Sequence, residues 1–372
     1  MRRCRTCVLP ETKPGLHFDT TGQCSACSNF SNRPSIDWDQ RGEQLREILT
    51  NAKPGPSGHN VIVPSSGGKD STWQTLKMIE LGARPLVVTA ATDYLTPMGF
   101  RNIQNLARFA TTVQYTPNRT VRAKLIRLGI EIVGDASHPE HMSIFSWPFR
   151  AARDFGISLI MFGENPQHEY GGPLGSEQAL TMTRRWIGEH GGMLGLRAAD
   201  FVGMEGITED DMRDYALPSD ADMKDIDALF LGQFLPWDSK ANADLAIANG
   251  METGTPSNSS WWSYENLDNA VTGLRDHQMF RKFGYGRMAS QISVDIRNGR
   301  ITREEAIRNV KYHDGAFPYT YAGVHIDEVL RYLDRDMAWL RENLEAHTDH
   351  SLFVDTKGDR PILKEFAEEA VA

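Results

Sequence analysis

The stretch Val61-Ile62-Val63-Pro64-Ser65-Ser66-Gly67-Gly68-Lys69-Asp70-Ser71 sets two hydroxyls, two glycines and a lysine in succession behind an apolar run. Such a series suits an anion. Glycines let the backbone turn tightly and present its N–H groups, a following helix N-terminus adds partial positive charge, and Lys69 adds a full one. A Walker A loop is excluded on spacing, because here Gly67 and Gly68 are adjacent and Asp70 separates Lys69 from Ser71. A plain strand-to-helix turn would not call for all of these residues at once. Ser66, Gly67, Gly68, Lys69, Asp70 and Ser71 are therefore the candidate phosphate-binding set.

A second constellation lies at the N-terminus, where Cys4-x2-Cys7 and Cys24-x2-Cys27 are separated by sixteen residues. Two such knuckles match a four-thiolate zinc ribbon, each supplying two soft ligands to one tetrahedral ion. Four thiolates fill the ion's shell and leave no position for water, so the expected role is structural. Iron is the competing metal, since thiolates accept both. The chain has no cysteine after Cys27, so neither covalent thiol catalysis nor cluster ligation is available elsewhere.

The elements that must carry these residues follow from periodicity. VIV, PLVVTA, TTVQYT and ISLIMFG are short apolar or β-branched runs, separated by helical patterns such as STWQTLKMIELG and MGFRNIQNLARFA. That alternation predicts βαβ units and a mostly parallel sheet. Residues 1–30 read as the metal ribbon, 31–58 as a helix and a Pro/Gly linker, 59–235 as the α/β nucleotide domain, and 236–372 as a mainly helical region for substrate or partner. Within the last, Thr302 and Glu305 suit a capping box. Ile326, Val329, Leu330, Leu333, Met337, Leu340 and Leu344 predict one long amphipathic helix, packed on the same chain or, alternatively, on a second copy as a homodimer.

Composition sets the class. The chain has 372 residues and a formal net charge of −9 without a basic block, which disfavours a nucleic-acid grip. No run approaches the length of a membrane span and no apolar segment follows the first basic residues, so the expected compartment is the cytoplasm.

Beyond these readings, SGGKDS resembles the signature of the PP-loop ATP pyrophosphatases. CxxCVLPETKPG and FDTTGQCSAC near the N-terminus, then TPMGFRN, FGEN, EYGG, FLPWD and VTGLRDHQMFRKFGYGRMASQISVDIRNGRITREEA, resemble the N-acetyl sugar amidotransferases of surface-polysaccharide (O-antigen) and nonulosonic-acid biosynthesis, over nearly the full length. The resemblance implies a PP-loop fold, with ATP and Mg²⁺ used to adenylate the oxygen of an acetamido group on a sugar or nucleotide-sugar. Ammonia then displaces AMP to leave an acetamidino group, in a carbon-nitrogen ligase reaction that also releases pyrophosphate. It further implies a glutaminase subunit with a cyclase-like barrel as the ammonia source, in keeping with a chain whose cysteines are all in the ribbon.

On that resemblance, Thr89, Ala90 and Gly163 join the loop as nucleotide-site residues, and Asp93 or Glu164 is expected to help hold Mg²⁺. Lys69, Asp70, Ser71 and Glu164 are the expected catalytic set, with His277 as a base for incoming ammonia. Asn165, Tyr170, Gly171 and Gly172 fall in a stretch suited to covering the sugar, and Arg281, Lys282 and Arg287 suit an anionic group on it. The alternative is a PP-loop enzyme that modifies tRNA, a thiolase or a lysidine-type ligase. It is disfavoured by the acidic charge and the lack of cysteines in the body of the chain.

Overall fold

The computed structural model describes residues 1–173 and 180–369. Its centre is a five-stranded, all-parallel sheet in the order β3-β2-β1-β4-β5, made of β1 Val61–Pro64, β2 Pro85–Ala90, β3 Thr111–Tyr115, β4 Leu159–Phe162 and β5 Asp227–Phe230. The first four are the runs anticipated from sequence. The fifth, DALF, was not among them and is specified by its pairing with β4, Leu159 opposite Asp227 through Phe162 opposite Phe230.

Alternation sorts the strand side chains between two layers of helix. Val61, Val63, Val87, Leu159 and Met161 pack with Leu45, Trp73 and Met78 of helices Trp38–Asn51 and Lys69–Glu80. Ile62, Leu86, Val88, Ile160 and Phe162 face the other way, onto Phe149, Ala151 and Ala152 of helix His138–Phe155. Both faces are covered, which is why these strands read as continuous apolar runs.

The order of strand addition reverses at β1: β2 and β3 build outward on one side, and β4 and β5 on the other. Ligands of open parallel sheets sit beyond the strand C-termini at such a switch point. Here the loops after β1 and β4 meet there, and they carry Ser65–Gly68 and Gly163–Glu164.

The region beyond residue 236 is mainly helical, with two small antiparallel pairs, Thr320–Tyr321 with Val324–His325 and Phe353–Asp355 with Ile362–Leu363. Thr302 Oγ1 accepts from the Glu305 N–H at 3.2 Å, starting helix Arg303–His313. The single long helix anticipated over 326–344 is instead two, Ile326–Tyr332 and Met337–Ala346. Asp334 adopts a positive φ of 52°, which aspartate tolerates better than most residues, and the Asp336 carboxylate caps the second helix by accepting from Trp339 N–H at 2.8 Å. The apolar face is nonetheless continuous. Ile326, Val329, Leu330, Leu333, Leu340 and Leu344 all pack on Ile126, Ile130 and Leu274 of the same chain. No helix among the described residues is long and apolar enough to cross a membrane.

Candidate active site

The turn out of β1 is shaped by its first glycine. Gly67 has φ +77°, and a Cβ there would lie 2.6 Å from Ile103 N and 2.8 Å from Asn102 C, so the loop presses directly on the backbone of helix Pro97–Leu106. Ser65 Oγ accepts from the Gly67 N–H at 3.0 Å. Gly68 is the N-cap of helix Lys69–Glu80, with an extended backbone and only Ser66 Oγ near its missing side chain. The free N–H groups of this helix start therefore open on a cavity of about 250 Å³ lined by Ser66 through Ser71.

Lys69 is 3% exposed and paired with Asp70 and with Glu265, the latter at 2.9 Å. Burial alone would lower its ammonium, but the two carboxylates hold it well above the usual lysine range. Gln291 Nε2 donates to Glu265 Oε2 at 2.7 Å, and Asn242 Nδ2 to Asp70 Oδ1 at 3.0 Å, so both counter-charges are themselves oriented. The far wall consists of Tyr264 to Asp268 and Arg287. It is docked to the sheet through Thr96, whose Oγ1 donates to Leu267 O at 2.5 Å and accepts from Gly99 N–H at 3.0 Å.

A neighbouring cavity of about 230 Å³ shares Ser66, Asp70, Ser71, Glu164 and Asp268, and continues over Val88, Ala90, Phe145, Pro148 and Gly163. One compartment is thus polar, with Lys69 and Arg287 set among four carboxylates, and the next is largely apolar at the strand ends, the division a nucleotide's phosphates with their cation and its base would need. Glu164 faces both. Burial, with Asp70 close by, pushes its carboxyl up to about 8, a strain that a bound divalent cation would relieve.

The structure brings most of the expected residues together. Ser66, Gly67, Gly68, Lys69, Asp70, Ser71, Glu164, Tyr170 and Arg287 line the loop cavity, and Ala90 and Gly163 its neighbour. Arg287 is aimed by Asp276, 2.9 Å away. Tyr170, Gly171 and Lys282 line a third cavity, of about 400 Å³, which meets the first at Tyr170.

Other expectations are corrected. Asp93 is fully buried against Arg122 at 2.9 Å and lines neither nucleotide compartment; burial pushes its carboxyl up to about 6 against the pull of that cation. A carboxylate committed to a buried arginine is not placed to hold Mg²⁺. His277 is 2% exposed, bonded through Nδ1 to Gly315 O at 2.9 Å and set edge-on to Phe317. Burial drives its imidazole down to about 4, and it lines none of these cavities. Arg281 binds Thr348 and Glu345 instead of facing the site. Thr89 is buried beside Ala90 without lining the compartment. Asn165 acts locally, capping helix Pro166–Tyr170 through the Gln167 N–H at 3.0 Å, and Gly172 packs against Gln167.

Sequence reasoning missed Glu265, Asp268 and Gln291. The signal for Glu265 was its place inside WWSYEN, where a lone carboxylate among aromatic residues is costly to bury without a cation.

The cysteines form the second site. Cys4 and Cys27 sulfurs lie 3.9 Å apart, Cys7 and Cys24 sulfurs 3.6 Å, and all four lie within 4.8 Å of one another. A tetrahedron with Zn–S of about 2.3 Å has S···S edges of about 3.8 Å. The N–H groups of Thr6, Cys7 and Cys24 point at Cys4 Sγ at 3.2–3.4 Å, which favours a thiolate. The residues fit a structural metal. The cluster packs against Tyr285, Met288, Ile292 and Val310, so the N-terminal module is docked on the C-terminal helices.

Residues 259–366 match the C-terminal domain of LPS biosynthesis protein WbpG-like proteins. No curated protein matches the chain. The matched segment begins just before Tyr264 and Glu265 and includes Arg287 and Gln291, so it supplies the wall that faces Lys69. Over these residues the chain is similar to the WbpG-like proteins of lipopolysaccharide biosynthesis.

Proposed function

We propose that the chain is an ATP-dependent N-acetyl sugar amidotransferase of the PP-loop type, making an acetamidino sugar for lipopolysaccharide O-antigen. The observation that carries this reading is that Lys69, on the glycine loop, and Glu265, on the WbpG-like domain, meet across one cavity. A phosphate-type cradle and a polysaccharide-biosynthesis domain then act on one ligand set.

In this reading the loop N–H groups and Lys69 bind the β,γ-pyrophosphate, and the apolar compartment over Val88 and Ala90 takes the base. Asp70 and Glu164 would hold Mg²⁺, whose charge neutralises the phosphates. The acetamido oxygen attacks the α-phosphorus, pyrophosphate leaves, and ammonia then replaces the adenylated oxygen as AMP departs. The rate would come from positioning and charge neutralisation. With His277 removed from candidacy, Glu265, freed when Lys69 turns to phosphate, is the group placed to take the proton that ammonia sheds. Tyr170 and Arg287 contact the sugar, and the ammonia comes from a glutaminase partner.

The test is to incubate the chain with ATP, Mg²⁺, ammonium and a diacetamido sugar nucleotide. Pyrophosphate and AMP are expected in step with a product lighter by the exchange of oxygen for an imino group, and Lys69→Ala should be inert. Release of ADP would sink the proposal.

A further inference from the structure

Tyr170 stands between the loop cavity and the third cavity, on a helix of only five residues, Pro166–Tyr170. So short a helix cannot hold its own position. It is gripped from outside, and the grip comes from the cysteine module and the helix beneath it. Lys13 Nζ donates to Gly171 O at 3.1 Å, Asn29 Nδ2 to His168 O at 3.3 Å, and Arg33 is ion-paired with Glu169. Gly171, at φ +77°, leaves no room for a side chain between itself and Leu16, Ser25 and Ala26 of the module.

Arg297 completes the arrangement. Its Nη2 donates to Glu169 O at 2.8 Å while its guanidinium lies in the field of Cys7, Cys24 and Cys27. A four-thiolate site holding a divalent ion keeps a net negative charge, so one arginine serves as counter-ion to the cluster and as donor to the segment. Arg303 Nε donates to Cys4 O and Cys7 O, at 3.1 and 3.0 Å, tying the first knuckle to the same helical base.

We propose that the filled cysteine cluster is a positioning device for Tyr170: the metal fixes the two knuckles, and Lys13, Asn29, Arg33 and Arg297 transmit that fixation to residues 166–171. Lys13 and Arg297 are positioning residues, acting through the tyrosine. The consequence for substrate rests on the reading of the loop cavity given above, whereas the mechanical coupling does not.

Amide hydrogen exchange on the full chain tests it. Stripping the metal with a chelator should speed exchange in residues 166–171 by about tenfold or more, the scale of losing one charge-assisted bond, while amides of β1, β2 and β4 keep their protection. Lys13→Met, with metal content and melting temperature unchanged, should reproduce the local effect. Lys13→Arg, which retains a donor toward Gly171 O, should restore protection. In turnover, Lys13→Met should raise KM for the sugar and leave KM for ATP alone. Unchanged exchange at 166–171 after metal loss, or a rise spread evenly over the sheet, would overturn the coupling. Failure of pyrophosphate release with the local exchange response intact would overturn the proposed reaction and leave the coupling standing.

Discussion

The two adjacent glycines of the loop have different jobs, and alanine substitution should separate them. At Gly67, alanine incurs two costs. The left-handed backbone costs a Cβ-bearing residue roughly 1–2 kcal/mol, and a methyl group 2.6 Å from Ile103 N and 2.8 Å from Asn102 C must push apart two stretches of backbone, roughly 1–3 kcal/mol more. Gly82 is the control, with φ +83° and nothing within 4 Å of its missing Cβ, so it bears the first cost alone. Gly68 has a negative φ and meets only Ser66 Oγ, at 3.3 Å. Urea unfolding followed by tryptophan fluorescence reads the differences as midpoint shifts at constant slope. Gly67→Ala should exceed Gly82→Ala by about 1–3 kcal/mol, and Gly68→Ala should be the mildest of the three. Nucleotide binding should fall in another order, with Gly68→Ala losing affinity despite its stability, because its methyl group enters the cavity where phosphate must approach. Equal shifts at Gly67 and Gly82 would refute the contact argument, and undiminished nucleotide binding by Gly68→Ala would refute the cradle.

Two further outcomes concern ionisable groups. With the Glu164 carboxyl raised from 4.5 to about 8, the folded chain holds a proton that the unfolded chain has lost, and stability falls as pH rises through that window. Glu164→Gln should therefore raise the urea midpoint more at pH 9 than at pH 5 while weakening Mg²⁺-dependent nucleotide binding; the same midpoint difference at both pH values would contradict the assignment. For His277 the sign is reversed. Its folded value near 4 lies below the ordinary 6.5, so its contribution is present above 6.5 and drains away as pH falls toward 4. His277→Asn should destabilise the protein at pH 7, less so at pH 5, and leave the pH profile of pyrophosphate release unmoved; loss of that profile's acidic limb would return the residue to the chemistry.

The parts of the fold legible in sequence were those whose signal is local. Val61, Val63 and Ile62 alternate between faces, and Lys69-Asp70-Ser71 starts a helix whose apolar side begins at Trp73. The cysteine spacing specified sulfurs that converge. What was not legible depended on the partner across space. β5 exists because β4 offers it an edge, and the interruption at Asp334 turns on one backbone conformation inside an unbroken apolar period. Asp93 and His277 were plausible by residue type and position along the chain, but Arg122 and Gly315 O claim them. Glu265 went unnoticed because its meaning lies in a lysine almost two hundred positions upstream.

That last pairing bears on how such proteins can be rearranged by descent or by design. One of the two charges that balance the buried Lys69 is carried by the WbpG-like region, and Gln291 of the same region aims it. A chimera that exchanged this region for one lacking an acid at the position of Glu265 would lose more than a recognition surface: it would leave the buried Lys69 with Asp70 as its one remaining counter-charge among the described residues. Recombination between relatives should therefore cost least where this lysine and glutamate travel together, and libraries that vary Lys69 should recover partners that vary Glu265.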